Sequence, residues 1–243
     1  MFFVNPAYAK QVQQAIDTLS QAFGYTFAGD MMLTFHRNMG FYQDARFMQA
    51  FNEEVGNERE KSLVWRLHVL CWCAANALRR EGDFVECGVF HGFCTIVAAR
   101  WLDFARCDKQ WYLYDTFAGI PADQLNPGDS SPDLFAEPGL YEACVRRFAA
   151  FPNIQVVRGR VPEVLAERAP QKVAFLHLDL NSAAAEAAAL EFFAERFAPG
   201  AFVLLDDYGW MGFHAQKVVA DAFFARLGRP IVELPTGQGL VII

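Results

Sequence analysis

Two adjacent carboxylates follow an apolar run near the end of the chain. Residues 203–205 (Val-Leu-Leu) predict the end of a buried strand, and Asp206 and Asp207 come directly after them. Asp179 follows another apolar run in the same way. Unpaired carboxylates held close together raise one another's pKa values and destabilise the fold, whereas Mg²⁺ binds such oxygen ligands and removes the repulsion. Asp179, Asp206 and Asp207 are therefore candidate Mg²⁺ ligands, although the adjacent pair could instead cap the next helix and meet solvent.

A glycine-containing turn follows the first strand predicted after residue 80. In the stretch ECGVFHGF, Gly88 and Gly92 would let a ligand approach the backbone where the next helix offers free N–H groups. Asp115 ends the following predicted strand, where an acid can accept hydrogen bonds from ribose hydroxyls. The turn lacks the GxGxxG pattern that a nucleotide-dependent oxidoreductase would need. A tight turn explains the glycines equally well, and Asp115 could be a helix cap or a solvated loop acid.

Further polar residues stand at the other predicted strand ends. Gly159 would allow close contact with a flat base, and Arg160 after it is either structural or solvent-facing. Asn181 shares a face with Asp179 if that strand continues. His177 lies inside the same strand and is expected to be a packed, hydrogen-bonded core residue.

Strands and helices alternate from residue 82 onward, and this alternation predicts how the site residues are positioned. It is typical of right-handed βαβ crossovers and a parallel sheet covered on both faces, which binds ligands at the carboxyl ends of its strands. The last two strands are joined only by TGQ, which is too short for a crossover, so the final strand must run antiparallel. The sequence therefore predicts an α/β fold with a doubly wound, seven-stranded, mostly parallel sheet. The strands are expected at 83–90, 110–117, 154–159, 172–180, 201–207, 230–235 and 239–243, and the helices between them at 93–105, 140–151, 162–168, 183–197 and 214–228.

Residues 1–80 show helical spacing and little strand signal. Apolar residues recur every three or four positions in 12–23, 44–55 and 62–80. The segment is rich in Phe, Met and Trp, which suits a helical cap, a dimer surface or both. We therefore expect an N-terminal helical extension that serves as a cap or oligomerisation segment, a ligand-binding domain over 81–243, and a homodimer.

The charge and hydropathy of the chain exclude several classes of partner. The 243 residues carry a formal net charge of −7 without a basic run, which disfavours binding to nucleic acid. No apolar stretch reaches the roughly 18 uncharged residues that a membrane-spanning helix needs, and the first residues lack the basic and apolar regions of a secretory signal. Six cysteines match no zinc or disulfide spacing. We expect a cytoplasmic protein that binds neither nucleic acid nor membrane.

Four motifs, in their order and spacing, resemble those of the macrolide-sugar O-methyltransferases of the macrocin and mycinamicin type. The motifs are FVECGVFHG, YDTFAGIP, LHLDLNSA and APGAFVLLDDYGW, and the resemblance covers about residues 30–243. Such enzymes are class I, S-adenosylmethionine-dependent methyltransferases with a Rossmann-like fold. The resemblance implies S-adenosylmethionine and Mg²⁺ as cofactors and a small-molecule hydroxyl acceptor, with a sugar or glycoconjugate as the first candidate.

The resemblance also implies roles for the positions that match around the metal and the cofactor. The metal would be ligated by Asp179, Asp206 and Asp207, would chelate neighbouring hydroxyls of a sugar, and would lower the pKa of the reacting oxygen. Asp179 would thereby stand among the catalytic residues and border the cofactor. The cofactor-binding residues, from the methionine end through the ribose to the adenine, would be Glu86, Cys87, Gly88, Val89, Phe90, Asp115, Thr116, Phe117, Gly119, Gly159, Arg160 and Val161.

The sequence departs from the family pattern in two places. The usual Asp-x-Asp followed by an aromatic is DLNS at residues 179–182, which keeps the first ligand but removes a nearby charge. The His that the family places after DTFAGIP is missing from residues 121–140. His214 is the substitute candidate for the catalytic base, and it could equally be an ordinary exposed residue at a helix start. Because of these departures, a diverged, non-catalytic S-adenosylmethionine-binding protein is the alternative to an active O-methyltransferase.

Overall fold

The computed structural model describes residues 4–126, 128 and 135–243, and the chain forms two compact units. The first unit is Met1–Val69 and the second is Leu70–Ile243. The division falls inside the helix Val64–Ala77, whereas the predicted boundary after residue 80 lies just beyond that helix. The cap and oligomerisation roles of the N-terminal part stay predictions. No helix within the described ranges is long and apolar enough to cross a membrane.

The first unit consists of helices and a β-hairpin. Its α-helices and strands in chain order are α1 (Ala9–Phe23), β1 (Thr26–Gly29), β2 (Met32–Phe35), α2 (Ala45–Glu54), α3 (Glu58–Ser62) and the N-terminal part of α4 (Val64–Ala77). Short polar side chains set the helix starts. Asp44 caps α2 by accepting the N–H of Phe47 (3.0 Å), and Asn57 caps α3 by accepting the N–H of Glu60 (2.9 Å).

The hairpin of β1 and β2 was not expected from the little strand signal in residues 1–80. Asp30 and Met31 form its two-residue turn, both with a left-handed backbone (φ 50° and 56°), as a type I′ turn requires. Asp tolerates this conformation better than most residues. The buried carboxylate of Asp30 also accepts a hydrogen bond from buried Arg66 (Nε–Oδ2 2.9 Å), which lies 36 positions along the chain. A partner so distant leaves no local pattern in the sequence.

The second unit is built on a seven-stranded sheet. Its strands are β3 (Asp83–Cys87), β4 (Trp111–Asp115), β5 (Ile154–Arg158), β6 (Val173–Leu178), β7 (Phe197–Leu205), β8 (Val232–Glu233) and β9 (Gly239–Ile242). Their spatial order is β5-β4-β3-β6-β7-β9-β8. The first five of these pair in parallel, and β9 runs antiparallel between β7 and β8. The predicted fold, a seven-stranded, mostly parallel sheet with an antiparallel last strand, is confirmed.

Helices alternate with these strands as the sequence predicts. They are α5 (Phe93–Leu102), α6 (Leu140–Arg147), α7 (Leu165–Arg168), α8 (Ala183–Phe193) and α9 (His214–Arg226). All five helices are shorter than predicted: α7 begins later than the expected residue 162, and the other four begin at the expected residue but end earlier. Large aromatic side chains fill part of the core: Phe84 and Trp111 are fully buried, with ring centroids 5.3 Å apart in an edge-on arrangement.

The strand order places a ligand crevice at the carboxyl ends of β3 and β6. The chain runs from β3 to β4 and β5 on one side and then crosses to β6 on the other, and sheets of this kind bind ligands at such a switch. Backbone pairing continues one residue beyond the strands, because Asp179 N–H donates to Cys87 O (2.8 Å) and Asp206 N–H donates to Leu178 O (2.9 Å). This continued register brings Asp179 and Asp206 to the same edge of the sheet.

Candidate active site

Three carboxylates meet at this edge of the sheet. One ligand atom from each of Asp179, Asp206 and Asp207 lies within 4.8 Å of the others, and we call these residues the acidic cluster. Asp206 is buried, while Asp179 and Asp207 are partly exposed. A set of carboxylate oxygens suits a hard divalent cation, which also keeps positions for water or substrate. The donor atoms therefore fit Mg²⁺, and the residues predicted as its ligands do lie together.

Asn181 supports the acidic cluster. Its backbone is left-handed (φ 53°), a conformation that asparagine tolerates, and its Nδ2 donates to Asp179 Oδ1 (3.2 Å). Asn126 in turn donates to Asn181 O (3.0 Å) and accepts the N–H of Ala183 (2.8 Å). The carboxamide at position 181 thus gives Asp179 a hydrogen-bond donor in place of another repelling charge.

Asp115 fixes the turn between β3 and α5, residues 88–92. Its Oδ2 accepts the N–H groups of Val89 (2.7 Å) and Phe90 (2.9 Å), and its Oδ1 accepts the N–H of Phe117 (2.6 Å). Asp115 therefore ties the ends of β3 and β4 together. Its role as an acceptor for ribose hydroxyls stays a prediction. A carboxylate that accepts three N–H groups still has lone pairs for such hydroxyls.

Close approaches within the protein account for the glycines at these strand ends. Gly88 has φ 90°, and a Cβ there would lie 1.9 Å from the carbonyl oxygen of Asp179. A Cβ on Gly159 would lie 2.7 Å from the Cβ of Val164. Both glycines are thus needed for packing in the protein itself, whether or not a ligand also approaches them.

Other predicted cofactor residues are tied into the same region. Glu86 is buried at the end of β3 and accepts a hydrogen bond from the buried hydroxyl of Thr95. Cys87 is fully buried, and burial raises the pKa of its thiol well above the ordinary value. Beyond β4, Thr116 Oγ1 donates to Gly119 O (2.6 Å). Burial and these two hydrogen bonds tie the predicted cofactor residues to their neighbours in the fold.

The loop after β4 is fastened to the ends of β5 and β6. Arg160 forms two hydrogen bonds with Asp123 of this loop (3.0 and 2.6 Å), and Gln124 donates to Val161 O (2.8 Å). Ser182 donates to Gln124 O (2.6 Å). Residues predicted to border the adenine therefore also anchor the loop, and their contact with adenine stays a prediction. Residues 127 and 129–134 of the loop belong to the stretch 121–140, which contains no His, and they lie outside the described residues.

A fully buried histidine links Glu86 to the acidic cluster. His177 Nδ1 lies 3.0 Å from Glu86 Oε1, and Nε2 lies 3.3 Å from Asp206 Oδ1. Ionised carboxylates only accept hydrogen bonds, so both ring nitrogens are donors when Glu86 and Asp206 are ionised and His177 is protonated. Burial by itself would lower the pKa of His177, but the hydrogen bonds to Asp206 and Glu86 outweigh it and raise the pKa to about 10. The expected packed, hydrogen-bonded core histidine is present.

The turn between β8 and β9 supplies a residue that the sequence did not identify. Gln238 Nε2 donates to Asp206 Oδ1 (2.9 Å), and its Oε1 accepts the hydroxyl of Thr236 (2.9 Å). Both residues are buried. TGQ signals only a turn in the sequence, and the antiparallel pairing of β9 with β7 is what carries Gln238 to the acidic cluster.

Glu186, in the first turn of α8, is a further buried carboxyl near the acidic cluster. Burial, together with the charges of Asp207 and Asp206, raises its pKa to about 8, against the opposing hydrogen bond from Gln216 (3.3 Å). The carboxyl is therefore largely protonated at neutral pH and adds little charge to the site. A single Glu in the Ala-rich stretch AAAEAAAL gave no sign of this role.

His214, the predicted substitute base, is exposed at the first residue of α9. An exposed histidine can still act as a base if substrate brings a hydroxyl within hydrogen-bonding reach. Its assignment as the base stays a prediction.

The fold is that of the class I methyltransferases: five parallel strands, with an antiparallel last strand between the two that precede it. The profile of the family described as Macrocin-O-methyltransferase (TylF) matches residues 64–226, more than half of the chain. The chain belongs to this family and is an S-adenosylmethionine-dependent O-methyltransferase.

Several solved structures share the fold. The O-methyltransferase NovP is 19% identical, with 74% of this chain and 79% of that chain covered and a TM-score of 0.62. CalS11, a calicheamicin methyltransferase, is 17% identical, with 99% and 95% covered and a TM-score of 0.64. PaMTH1 of Podospora anserina, solved with S-adenosylhomocysteine (SAH) bound, is 8% identical, with 99% and 98% covered and a TM-score of 0.51. Comparison with curated protein sequences gave no match.

Proposed function

We propose that this enzyme methylates a hydroxyl of a small-molecule sugar in a reaction that depends on Mg²⁺. The observation that carries the proposal is the acidic cluster, whose oxygens lie within 4.8 Å of one another at the edge where this fold binds its ligands. A divalent cation held there would lower the pKa of a coordinated hydroxyl and align it with the methyl group of S-adenosylmethionine. The transfer then yields a methyl ether, SAH and a proton.

The residues of the chain have distinct tasks in this proposal. Asp179, Asp206 and Asp207 hold the cation. Asn181 and Gln238 orient two of these carboxylates by donating hydrogen bonds to them. The residues from Glu86 to Phe90 and from Asp115 to Gly119, with Gly159, Arg160 and Val161, form the cofactor site.

A sugar acceptor is supported by the family and by one structural neighbour. CalS11, whose apo structure covers 99% of this chain and 96% of its own at 15% identity and a TM-score of 0.57, is described as a TDP-rhamnose 3′-O-methyltransferase. Neighbouring hydroxyls of a sugar ring offer a cation two oxygens at once. We therefore propose an acceptor with two adjacent hydroxyls on a sugar ring.

Asn181 favours an active enzyme over a non-catalytic relative. The departure from Asp-x-Asp leaves the three carboxylates together and supplies Asp179 with a hydrogen bond.

His214 is the proposed base. His214→Gln should then lower kcat while leaving Mg²⁺ and SAH affinity unchanged, and an unaltered kcat would exclude this role.

The test is formation of SAH from S-adenosylmethionine with a panel of free and nucleotide-linked sugars and a catechol, in MgCl₂ and in EDTA. We expect a sugar to be methylated in MgCl₂ but not in EDTA. Because residues that merely orient metal ligands typically contribute about 10- to 100-fold, Asp207→Asn should lower turnover at least that much. Glu191→Gln, which removes an exposed carboxylate paired with Arg226, is the matched control and should be unaffected. Full turnover in EDTA, or of the catechol alone, would contradict the proposal.

A further inference from the structure

A chain of buried hydrogen bonds runs from α5 to the β8–β9 turn. Thr95 donates to Glu86 Oε2, and Glu86 Oε1 lies 3.0 Å from His177 Nδ1. On the other side of the ring, His177 Nε2 lies 3.3 Å from Asp206 Oδ1, and Gln238 donates to that same oxygen (2.9 Å). This series of hydrogen bonds therefore connects Glu86, at the predicted methionine end of the cofactor site, with Asp206 of the acidic cluster.

The ring of His177 is held so that a movement of the Asp206 carboxylate is transmitted to the Glu86 carboxylate, and the reverse. It is fully buried, so solvent cannot replace either of its hydrogen bonds, and it lies parallel to the ring of Phe175 (centroids 6.5 Å apart, interplanar angle 4°). Its two nitrogens bond carboxylates from different strands, Glu86 on β3 and Asp206 after β7. Because both nitrogens belong to one rigid ring, a shift of either carboxylate changes the hydrogen-bond geometry at the other.

We propose that His177 is a positioning residue that orients Glu86 and Asp206 together and thereby couples cofactor binding to metal binding. This inference rests on the proposed function, since it needs a cation at the acidic cluster. A cation that fixes Asp206 also fixes His177 and Glu86, so less of the cofactor site is left to order when the cofactor binds. By linkage, the cofactor strengthens metal binding by the same factor.

Calorimetric titration of SAH, with and without saturating MgCl₂, tests the coupling. SAH is the probe because it lacks the sulfonium charge that Mg²⁺ would repel directly. We expect Mg²⁺ to lower the Kd of SAH in the unmodified enzyme by roughly 5-fold or more. His177→Gln should bring the ratio of the two Kd values to one and weaken Mg²⁺ binding about 10- to 100-fold.

Gln238→Met is the matched control. It removes a donor from the same oxygen of Asp206 at an equally buried position, but the side-chain hydrogen bonds of Gln238 run to Asp206 and Thr236 rather than to Glu86. We expect this variant to bind Mg²⁺ more weakly and yet to keep the ratio of the unmodified enzyme. A merely structural role for His177 would not separate the two variants in this way.

The inference is overturned if the Kd of SAH without Mg²⁺, divided by the Kd with Mg²⁺, is one or less in the unmodified enzyme. This measurement does not depend on any variant folding. A ratio that persists in His177→Gln overturns it too, and His177→Asn replaces that variant if it does not fold. The proposed function fails differently: the unmodified enzyme then shows no Mg²⁺ binding or no Mg²⁺-dependent turnover. Binding of both ligands with Mg²⁺-dependent turnover and a ratio of one would leave the proposed function standing and remove only the coupling.

Discussion

Mg²⁺ should stabilise the folded enzyme, because the acidic cluster repels itself without a cation. The ligand atoms of the acidic cluster lie within 4.8 Å of one another, and two unit charges at that distance repel each other by about 3–4 kcal/mol at an effective dielectric constant of roughly 20. A cation that binds only the folded state stabilises it by about 2.7 kcal/mol at about 100 times its Kd. Each kcal/mol raises the Tm of a chain of this size by about 2–4 °C. We therefore expect Mg²⁺ to raise the Tm by about 5–10 °C.

The assay is thermal unfolding followed by circular dichroism, in EDTA and in excess MgCl₂ at matched ionic strength. Asp207→Asn should lose most of the rise in Tm, since it removes one ligand and much of the repulsion that the cation relieves. Glu191→Gln changes the net charge equally but alters an exposed pair with Arg226, so it should keep the rise. Equal melting temperatures with and without Mg²⁺ in the unmodified enzyme would refute the reasoning, as would an undiminished rise in Asp207→Asn.

Three further changes test the geometry of the site. The unfolded chain loses the Glu186 proton near pH 4.5 and the folded enzyme loses it near pH 8, so the stability that Glu186 contributes is complete below pH 4.5 and is lost as the pH rises to about 8. In EDTA, the free energy of unfolding of Glu186→Gln should therefore rise relative to that of the unmodified enzyme as the pH increases from about 5 to about 9. An equal pH dependence of urea unfolding in the two proteins would contradict this. Gly88→Ala should destabilise the enzyme by more than about 4 kcal/mol, because its Cβ would lie 1.9 Å from the Asp179 carbonyl oxygen; a smaller shift in the urea midpoint would show that the strand ends can separate. Asn126→Ala removes bonds to two backbone groups and should lower the free energy of unfolding by about 1–3 kcal/mol; an unchanged urea midpoint would show that the loop is not anchored there.

The fold and the meeting of the three acids could be predicted because the strands of the second unit carry strong local signals. Each of the five parallel strands is an apolar run that ends near a Gly or an Asp, and helical spacing follows it. Alternation then dictates a parallel sheet, and a parallel sheet brings strand ends to a common edge. Asp179 and Asp206 meet for this reason, without any signal from their immediate neighbours.

What the sequence did not reveal depends on partners that are distant along the chain. Gln238 lies 32 positions from Asp206, and His177 lies 91 positions from Glu86. A glutamine in a turn and a histidine in a strand have many ordinary explanations, so their types alone do not indicate a shared network. The sequence did not predict the β1–β2 hairpin either, because Met31 is an unusual residue for its left-handed turn.

Much of the predicted site is held in place by the protein's own bonds, and this has a consequence for binding. Asp115 accepts three backbone N–H groups, Gly88 allows β3 and β6 to approach, and Asn181 orients Asp179. A residue bound in this way needs little further ordering when a ligand arrives, so less of the interaction energy is spent on conformational entropy. Internal bonds at these positions therefore do not argue against a role in ligand binding. They would hold the predicted cofactor turn and the acidic cluster in place before the ligands of the proposed reaction bind.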